Sequence, residues 1–212
     1  MIKRTFFIAL SLLFFGFSNA QAAAVHFGAD LNKHTQPSNA GTGDYCNINT
    51  KHQNCTFILM QAYQCEFGSC LNGHLAPMDG TINKVSLIAC AAGTFVLQIA
   101  KANASTEKAS VITSGPVINY LGDPQQCDGN TYQIESFPVN IAVKKGDYLA
   151  VDSQKVGFVR CSGGSENMLL YHLPLADGVA ARKANGEDGC FMLLEAFYAP
   201  APTRPSFAPW RP

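Results

Sequence analysis

The chain has 212 residues with 15 basic and 15 acidic side chains, and charged residues make up only 14% of it. That length is enough for one domain with a substantial core. A formal net charge of zero excludes the broad basic surface that binding to nucleic acid or to an anionic membrane requires. We therefore expect no nucleic-acid partner.

The N-terminus has the pattern of a cleavable secretory signal peptide. Lys3 and Arg4 form a short positive region, an uncharged and mostly apolar run follows over residues 5–17, and small residues suited to signal peptidase come next. A run of about 13 residues is too short to cross a bilayer, which takes about 20 helical residues. Residues 1–22 are predicted to be removed, and the mature protein is expected to be secreted or periplasmic, with no membrane association.

Eight cysteines all lie in the predicted mature part: Cys46, Cys55, Cys65, Cys70, Cys90, Cys127, Cys161 and Cys190. An even number behind a signal peptide indicates disulfide bonds rather than free thiols. Metal ligation is the alternative, but no Cys-x-x-Cys pair is present and the spacings do not repeat as in a zinc module. An up-and-down strand order favours four pairs: Cys46 with Cys55, Cys65 with Cys70, Cys90 with Cys127, and Cys161 with Cys190.

Short segments rich in β-branched and aromatic residues recur along the mature chain, which is typical of an all-β domain. The segments predicted to be strands are residues 56–63, 80–89, 94–101, 109–118, 132–143, 148–152, 156–161, 168–172 and 190–198. Val85, Leu87 and Ala89 alternate with other residues, as in a strand that buries one face. We predict an antiparallel β-sandwich of about nine strands, stapled by the disulfides.

The connections between these segments carry turn signals. Residues 90–93 are short enough to be a hairpin turn, and Gly146, after two lysines, supplies the positive φ of a tight turn. Residues 23–55 are polar and turn-rich and are predicted to be an N-terminal arm, followed by the β-sandwich domain over residues 56–199. Residues 200–212 hold five prolines and are expected to form an extended tail.

Three passages have a recognisable pattern. Residues 76–85 read APMDGTINKV, residues 93–99 read GTFVLQI, and residues 137–151 read FPVNIAVKKGDYLAV. They resemble the A-P-x-D-G-x-I, G-x-V-x-L-x-I and V-x-x-G-D-x-I-x-V motifs of uncharacterised secreted bacterial β-sandwich domains, although Val85 stands where that family commonly has Trp. The resemblance spans about residues 75 to 155, and it implies a jelly-roll-like fold and no particular activity.

The sequence contains no catalytic motif, so we expect a protein that is not an enzyme. It has no Gly-x-Ser-x-Gly nucleophile motif, and cysteines held in disulfides would leave no thiolate for Cys–His chemistry. A carboxylate pair for glycoside hydrolysis stays open as an alternative. The candidates, each expected on a solvated face, are Glu66, Glu135, Glu166, Glu187 and Glu195.

We expect neither a cofactor nor a metal centre. The histidines never occur as His-x-His or His-Glu-x-x-His. Calcium is the alternative, since Asp123, Asp128, Asp177 and Asp188 lie in polar loops where backbone carbonyls could complete a site. Ordinary turn chemistry explains each of these aspartates equally well.

The best candidate for binding is the loop over residues 119–132, which combines aromatic, amide and carboxylate side chains. The residues predicted to contact a ligand are Tyr120, Asp123, Gln125, Gln126, Asp128, Asn130 and Tyr132. Rigid polar and aromatic surfaces are suited to sugar recognition. We therefore predict a secreted module that recognises an extracellular glycan or protein partner. The alternatives are a surface-assembly protein that docks through its arm or tail, and a hydrolase.

Overall fold

The protein is all-β with antiparallel sheets. The computed structural model describes residues 25–33, 54–61, 74–124, 133–161 and 167–200. Within these ranges, no helix has the length and apolar character needed to cross a membrane. The predicted signal peptide, most of the predicted arm and the Pro-rich tail after its first residue lie outside them.

Two sheets make up most of the fold. Sheet A contains, in spatial order, β1 (Val25–Gly28), β13 (Leu194–Pro200), β3 (Gly80–Leu87) and β6 (Glu135–Val143). Sheet B contains, in spatial order, β10 (Arg182–Lys183), β5 (Lys108–Tyr120), β4 (Gly93–Asn103), β7 (Tyr148–Ser153), β2 (Cys55–Leu59), β9 (Met168–His172) and β11 (Gly186–Asp188). A separate ladder joins β8 (Val159–Cys161) to β12 (Cys190–Met192), and a short 3-10 helix (Leu31–Lys33) follows β1.

Each predicted strand segment overlaps a strand, because short runs of β-branched and aromatic residues, bounded by turn residues, are a local signal. The segment predicted over residues 190–198 is divided between β12 and β13, with Leu193 between them. Three strands were missed, namely β1, β10 and β11. They are two to four residues long, which is too short for a periodic signal, and β1 lies inside the predicted arm. The described residues therefore hold more strands than the expected nine or so.

Two connections that the sequence predicted to be turns cross between the sheets. Residues 90–93 were predicted to form a hairpin turn, which is wrong: β3 belongs to sheet A and β4 to sheet B. The turn at Gly146 likewise joins β6 of sheet A to β7 of sheet B, and its positive φ of 83° confirms the predicted tight turn. Asp147 fixes this turn, since its carboxylate accepts the backbone N–H of Lys144 at 2.7 Å. A hairpin does join β4 to β5, which pair directly.

One apolar cluster is shared by both sheets. Phe27 and Ile82 of sheet A lie in it with Phe57 and Phe95 of sheet B, and all four are fully buried. Burying a side chain of this size contributes about 1.5–3 kcal/mol. This shared core holds the two sheets together.

Sheet B is also covered on its other face. A second cluster there includes Ile58, Val111 and Tyr171, and Leu175 from the segment after β9 packs on it. Because both faces are covered, β2 is buried at all five of its positions. Sheet B therefore buries apolar side chains on both of its faces.

Three cysteines have described side chains: Cys55, Cys90 and Cys190. None of them is a free thiol. Cys190 lies directly opposite Cys161 in the antiparallel ladder of β12 and β8. The other predicted disulfide cysteines, Cys46, Cys65, Cys70 and Cys127, lie outside the described residues.

Candidate functional site

The predicted binding loop follows directly from β5. The structure describes its first part, through Pro124, and the chain is described again from Gln133. Tyr120 and Asp123 can therefore be assessed. The remaining predicted contact residues lie outside the described ranges: Gln125, Gln126, Asp128, Asn130 and Tyr132.

Tyr120 is a core residue and not a surface contact, which corrects its predicted role. It is 2% exposed, and its ring packs against Phe95 and, edge to face, against Phe158. Its hydroxyl accepts a hydrogen bond from the backbone N–H of Gly157 at 2.9 Å. Burial raises the pKa of the phenol, the Gly157 bond lowers it, and the negative charge of Glu135 raises it further. Tyr120 thus anchors the root of the loop.

Glu135 holds the backbone of the loop in place. Its two carboxylate oxygens accept hydrogen bonds from the backbone N–H groups of Leu121, at 2.9 Å, and Gly122, at 2.7 Å. The prediction of a solvated, outward Glu135 is wrong. It stands two residues before Phe137, on the side of β6 that packs toward the shared core, and is only partly exposed. The carboxylate supplies acceptors for two backbone N–H groups that lie just beyond the end of β5.

The loop is also fixed against the connection between β3 and β4. The backbone N–H of Asp123 donates to the carbonyl of Ala89 at 2.8 Å. Gly122 has a φ of +61°, and a Cβ placed there would come within 2.5 Å of the backbone of Ala91. Only glycine meets both conditions, the left-handed backbone and the close approach. The described start of the loop and the crossover connection are therefore joined into one unit at this end of the sheets.

A surface cavity of about 210 Å³ lies at this unit, lined by Leu121, Gly122, Asp123, Gln133 and Glu135. Leu121 is 80% exposed, and Ile134, next to Gln133 in sequence, is 40% exposed. The cavity thus has an apolar side chain at its rim and polar groups in its lining. It is smaller than the roughly 300–1,000 Å³ of sites for drug-sized ligands. A single sugar ring or one protein side chain suits it better.

The lining is rich in hydrogen-bond acceptors. Asp123 and Glu135 bring carboxylates, Gln133 brings an amide, and the N–H groups of Leu121 and Gly122 are occupied by Glu135. Such a lining favours ligands that donate hydrogen bonds, such as hydroxyl groups, and disfavours anions. Gln133 was missed by sequence reasoning, because nothing local separates it from any other polar loop residue.

Two further acidic candidates, Asp177 and Asp188, serve local structure. Both carboxylate oxygens of Asp177 accept hydrogen bonds from Ser114, one from its N–H at 2.9 Å and one from its hydroxyl at 2.6 Å. Asp188 accepts the backbone N–H of Cys190 at 2.7 Å. Among the described residues, no group of three or more His, Cys, Asp and Glu side chains is arranged to hold a metal ion. Glu195 was expected on a solvated face, which is wrong, since it is 1% exposed.

Comparison with known proteins gives no match to any family model, curated protein or solved structure.

Proposed function

We propose that this protein is a secreted or periplasmic β-sandwich module that recognises an extracellular glycan, or the side chain of a protein partner, through the cavity at Leu121 to Asp123. The observation that carries the proposal is the cavity itself. It joins a preformed backbone, an exposed apolar side chain and several acceptors, and it adjoins the loop that sequence reasoning selected.

Rigidity is what makes this cavity suited to recognition. A loop that is already ordered loses little conformational entropy when a ligand binds. Glu135, Gly122 and Tyr120 each fix the described start of the loop, and none of them depends on a ligand to do so. The acceptors then match the donor hydroxyls of a sugar, while Leu121 offers an apolar contact to the sugar ring.

The jelly-roll-like fold and the disulfide staples belong to the same proposal. The shared apolar cluster supports two sheets packed face to face, and the resemblance to secreted β-sandwich domains agrees with it. The absence of a free thiol at Cys55, Cys90 and Cys190 supports oxidised cysteines. Directly opposed positions in an antiparallel pair have a Cα separation that a disulfide can bridge, which favours Cys161 with Cys190.

Peptide mapping of the non-reduced protein tests the staples. We expect a cross-linked peptide pair that joins Cys161 to Cys190. We also expect Cys90 to be linked to Cys127, because the loop that leads to Cys127 is bonded to Ala89. Recovery of eight free thiols from the exported protein would contradict both the staples and the extracytoplasmic assignment.

Binding is tested with a glycan array, followed by calorimetric titration of each hit. Leu121→Ser and Gln133→Ala remove exposed groups at the cavity and should each weaken binding about tenfold, the equivalent of about 1.4 kcal/mol. Val179→Ser is the matched control, since Val179 is a 55% exposed apolar residue outside the cavity lining. Equal affinity in all three variants would contradict the proposal.

A hydrolase is the second candidate, because Asp123 and Glu135 line the same cavity. The two backbone hydrogen bonds to Glu135 favour a structural carboxylate over one that exchanges protons with a substrate. The two functions differ in one measurement. Asp123→Asn would abolish turnover of a bound glycan in a hydrolase, whereas a binding module gives no turnover with either residue.

A further inference from the structure

A histidine and a buried carboxylate join β1 and β13, two neighbouring strands of sheet A. The Nδ1 atom of His26, on β1, contacts Oε1 of Glu195, on β13. Glu195 lies opposite Gly28 of β1 on one side and Ser86 of β3 on the other. One residue further along, the backbone N–H of Ala29 donates to the carbonyl of Leu194 at 2.9 Å. β1 therefore lies along the edge of β13, beside Glu195.

The His26 ring is held in position by its neighbours. It stacks on the ring of Phe197 with centroids 5.6 Å apart and an interplanar angle of 15°. The Lys84 ammonium lies 3.8 Å from the centroid of the same ring. His26, Phe197 and Lys84 are register partners across β1, β13 and β3. The imidazole thus has a fixed place beside the carboxylate, and its side chain keeps 26% exposure to solvent.

Because Glu195 is buried, it costs more free energy to ionise its carboxylate than it would in water. The side chain is 2% exposed, and this burial raises its pKa. The charge and hydrogen bond of His26 lower it, the nearby Asp30 carboxylate raises it, and the Lys84 ammonium lowers it. Those are the titratable groups that face Glu195 from β1, from the segment after β1 and from β3.

We propose that the contact between His26 and Glu195 is a proton-dependent latch, which holds the N-terminal strand β1 on sheet A more tightly at acid pH than at neutral pH. β1 has only four residues and pairs with β13 alone among the described strands. Its release would expose Glu195 to water and free the backbone edge of β13. This inference is independent of the proposed binding function.

The direction follows from proton linkage. Glu195 binds its proton more tightly in the closed state than when β1 is open, so a rise in pH through the titration of Glu195 favours opening. The opening equilibrium should increase about tenfold for each unit by which the closed-state pKa exceeds that of the open state.

Hydrogen exchange of the purified protein between pH 5 and pH 8, corrected for intrinsic exchange, tests the latch. We expect the β1 amides and that of Ala29 to lose protection several-fold across this range, while the β4 amides keep theirs. Glu195→Gln should make β1 protection independent of pH. Glu187→Gln, a matched change on β11 in the other sheet, should leave the wild-type pH profile.

A second variant covers the case in which Glu195→Gln does not fold. His26→Gln removes the ring that lowers the pKa of Glu195 and should therefore extend the loss of β1 protection to higher pH. Equal β1 protection at pH 5 and pH 8 in the wild-type protein would overturn the proposal. An unchanged pH profile in either Glu195→Gln or His26→Gln would overturn it as well.

Discussion

The carboxylate of Glu135 and the backbone N–H of Gly122 are joined by a hydrogen bond of 2.7 Å, which ties the first residue of β6 to the loop after β5. The other carboxylate oxygen holds Leu121 in the same way. One side chain thus organises the cavity lining, although β5 and β6 belong to different sheets.

Replacing Glu135 with Gln should loosen this loop. The amide keeps one acceptor oxygen and turns a donor toward the second backbone N–H, which is left unpaired. Hydrogen bonds to charged groups contribute about 1.5–3 kcal/mol each, so we expect a loss of about 1–3 kcal/mol in the free energy of unfolding, measured in urea. Glu107→Gln is the control, because Glu107 forms a partly exposed ion pair with Lys183 at 3.4 Å. A loss no larger than that of the control would contradict this role.

Alanine substitutions at three glycines distinguish the cost of backbone strain from the cost of a steric clash. In Gly122→Ala, the new Cβ is strained by the positive φ and also clashes with the backbone of Ala91, so the free energy of unfolding should fall by more than about 2 kcal/mol. In Gly178→Ala, only the strain of the φ of +70° applies, because no atom lies within 4 Å of the new Cβ, and the free energy of unfolding should fall by about 1 kcal/mol. Gly186→Ala meets neither and should stay within about 0.5 kcal/mol of the wild type. Thermal unfolding that ranks the three in another order would refute this assignment.

Tyr171 should make stability fall at alkaline pH. Burial, the largest effect, raises its pKa to about 12 from an ordinary value of 10.0. The folded state therefore keeps this proton while the unfolded chain releases it, and stability present below pH 10 is lost as the pH rises toward 12. The full loss is about 2.7 kcal/mol, and about 1.3 kcal/mol of it falls between pH 9 and pH 11. Urea denaturation at pH 9 and pH 11 measures it.

Tyr171→Phe is the control for that measurement. It removes the titrating group and also the hydrogen bond that the Tyr171 hydroxyl donates to the carbonyl of Glu107 at 2.9 Å. We expect a variant that is about 1 kcal/mol less stable at neutral pH and less sensitive to alkali. An alkaline loss that stays as steep as in the wild type would assign the effect to other tyrosines.

Gln98 should hold the segment after β9 against sheet B. Its amide nitrogen donates to Ser114 at 3.1 Å and to the carbonyl of Leu175 at 3.2 Å, and its oxygen accepts from Thr56 at 3.2 Å. Gln98→Met keeps the shape but removes the hydrogen bonds to the buried Thr56 hydroxyl and Leu175 carbonyl, which costs about 1–3 kcal/mol. Hydrogen exchange should then rise near Leu175. Lys101→Met, at an exposed position of the same strand, should leave exchange there unchanged.

Strand positions could be predicted from the sequence because they depend on a local pattern. Residues 168–172 were predicted with the same bounds that β9 has. Which strands pair was beyond local reasoning, since residues 88–92 could connect two strands of one sheet or cross between sheets. Tyr120 was assigned to a binding surface as a loop aromatic. Ile118 and Tyr120, two residues apart and both buried, continue the inward face of β5, and that signal could have identified a core residue.

The candidate site could be predicted only in outline. The loop after β5 was identified from its composition, and Asp123 does line the cavity. The role of Glu135 depends on which backbone groups lie within reach of it, and the burial of Glu195 depends on the strands beside it. Both are tertiary relationships that leave no trace in residue type or spacing.

Amide chemical-shift mapping by NMR, with the tightest ligand from the glycan array, tests the central claim most directly. We predict shifts concentrated at Leu121 to Asp123 and Gln133 to Glu135, and their loss in Gln133→Ala. Shifts confined to another surface, or unchanged shifts in Gln133→Ala, would contradict recognition through this cavity.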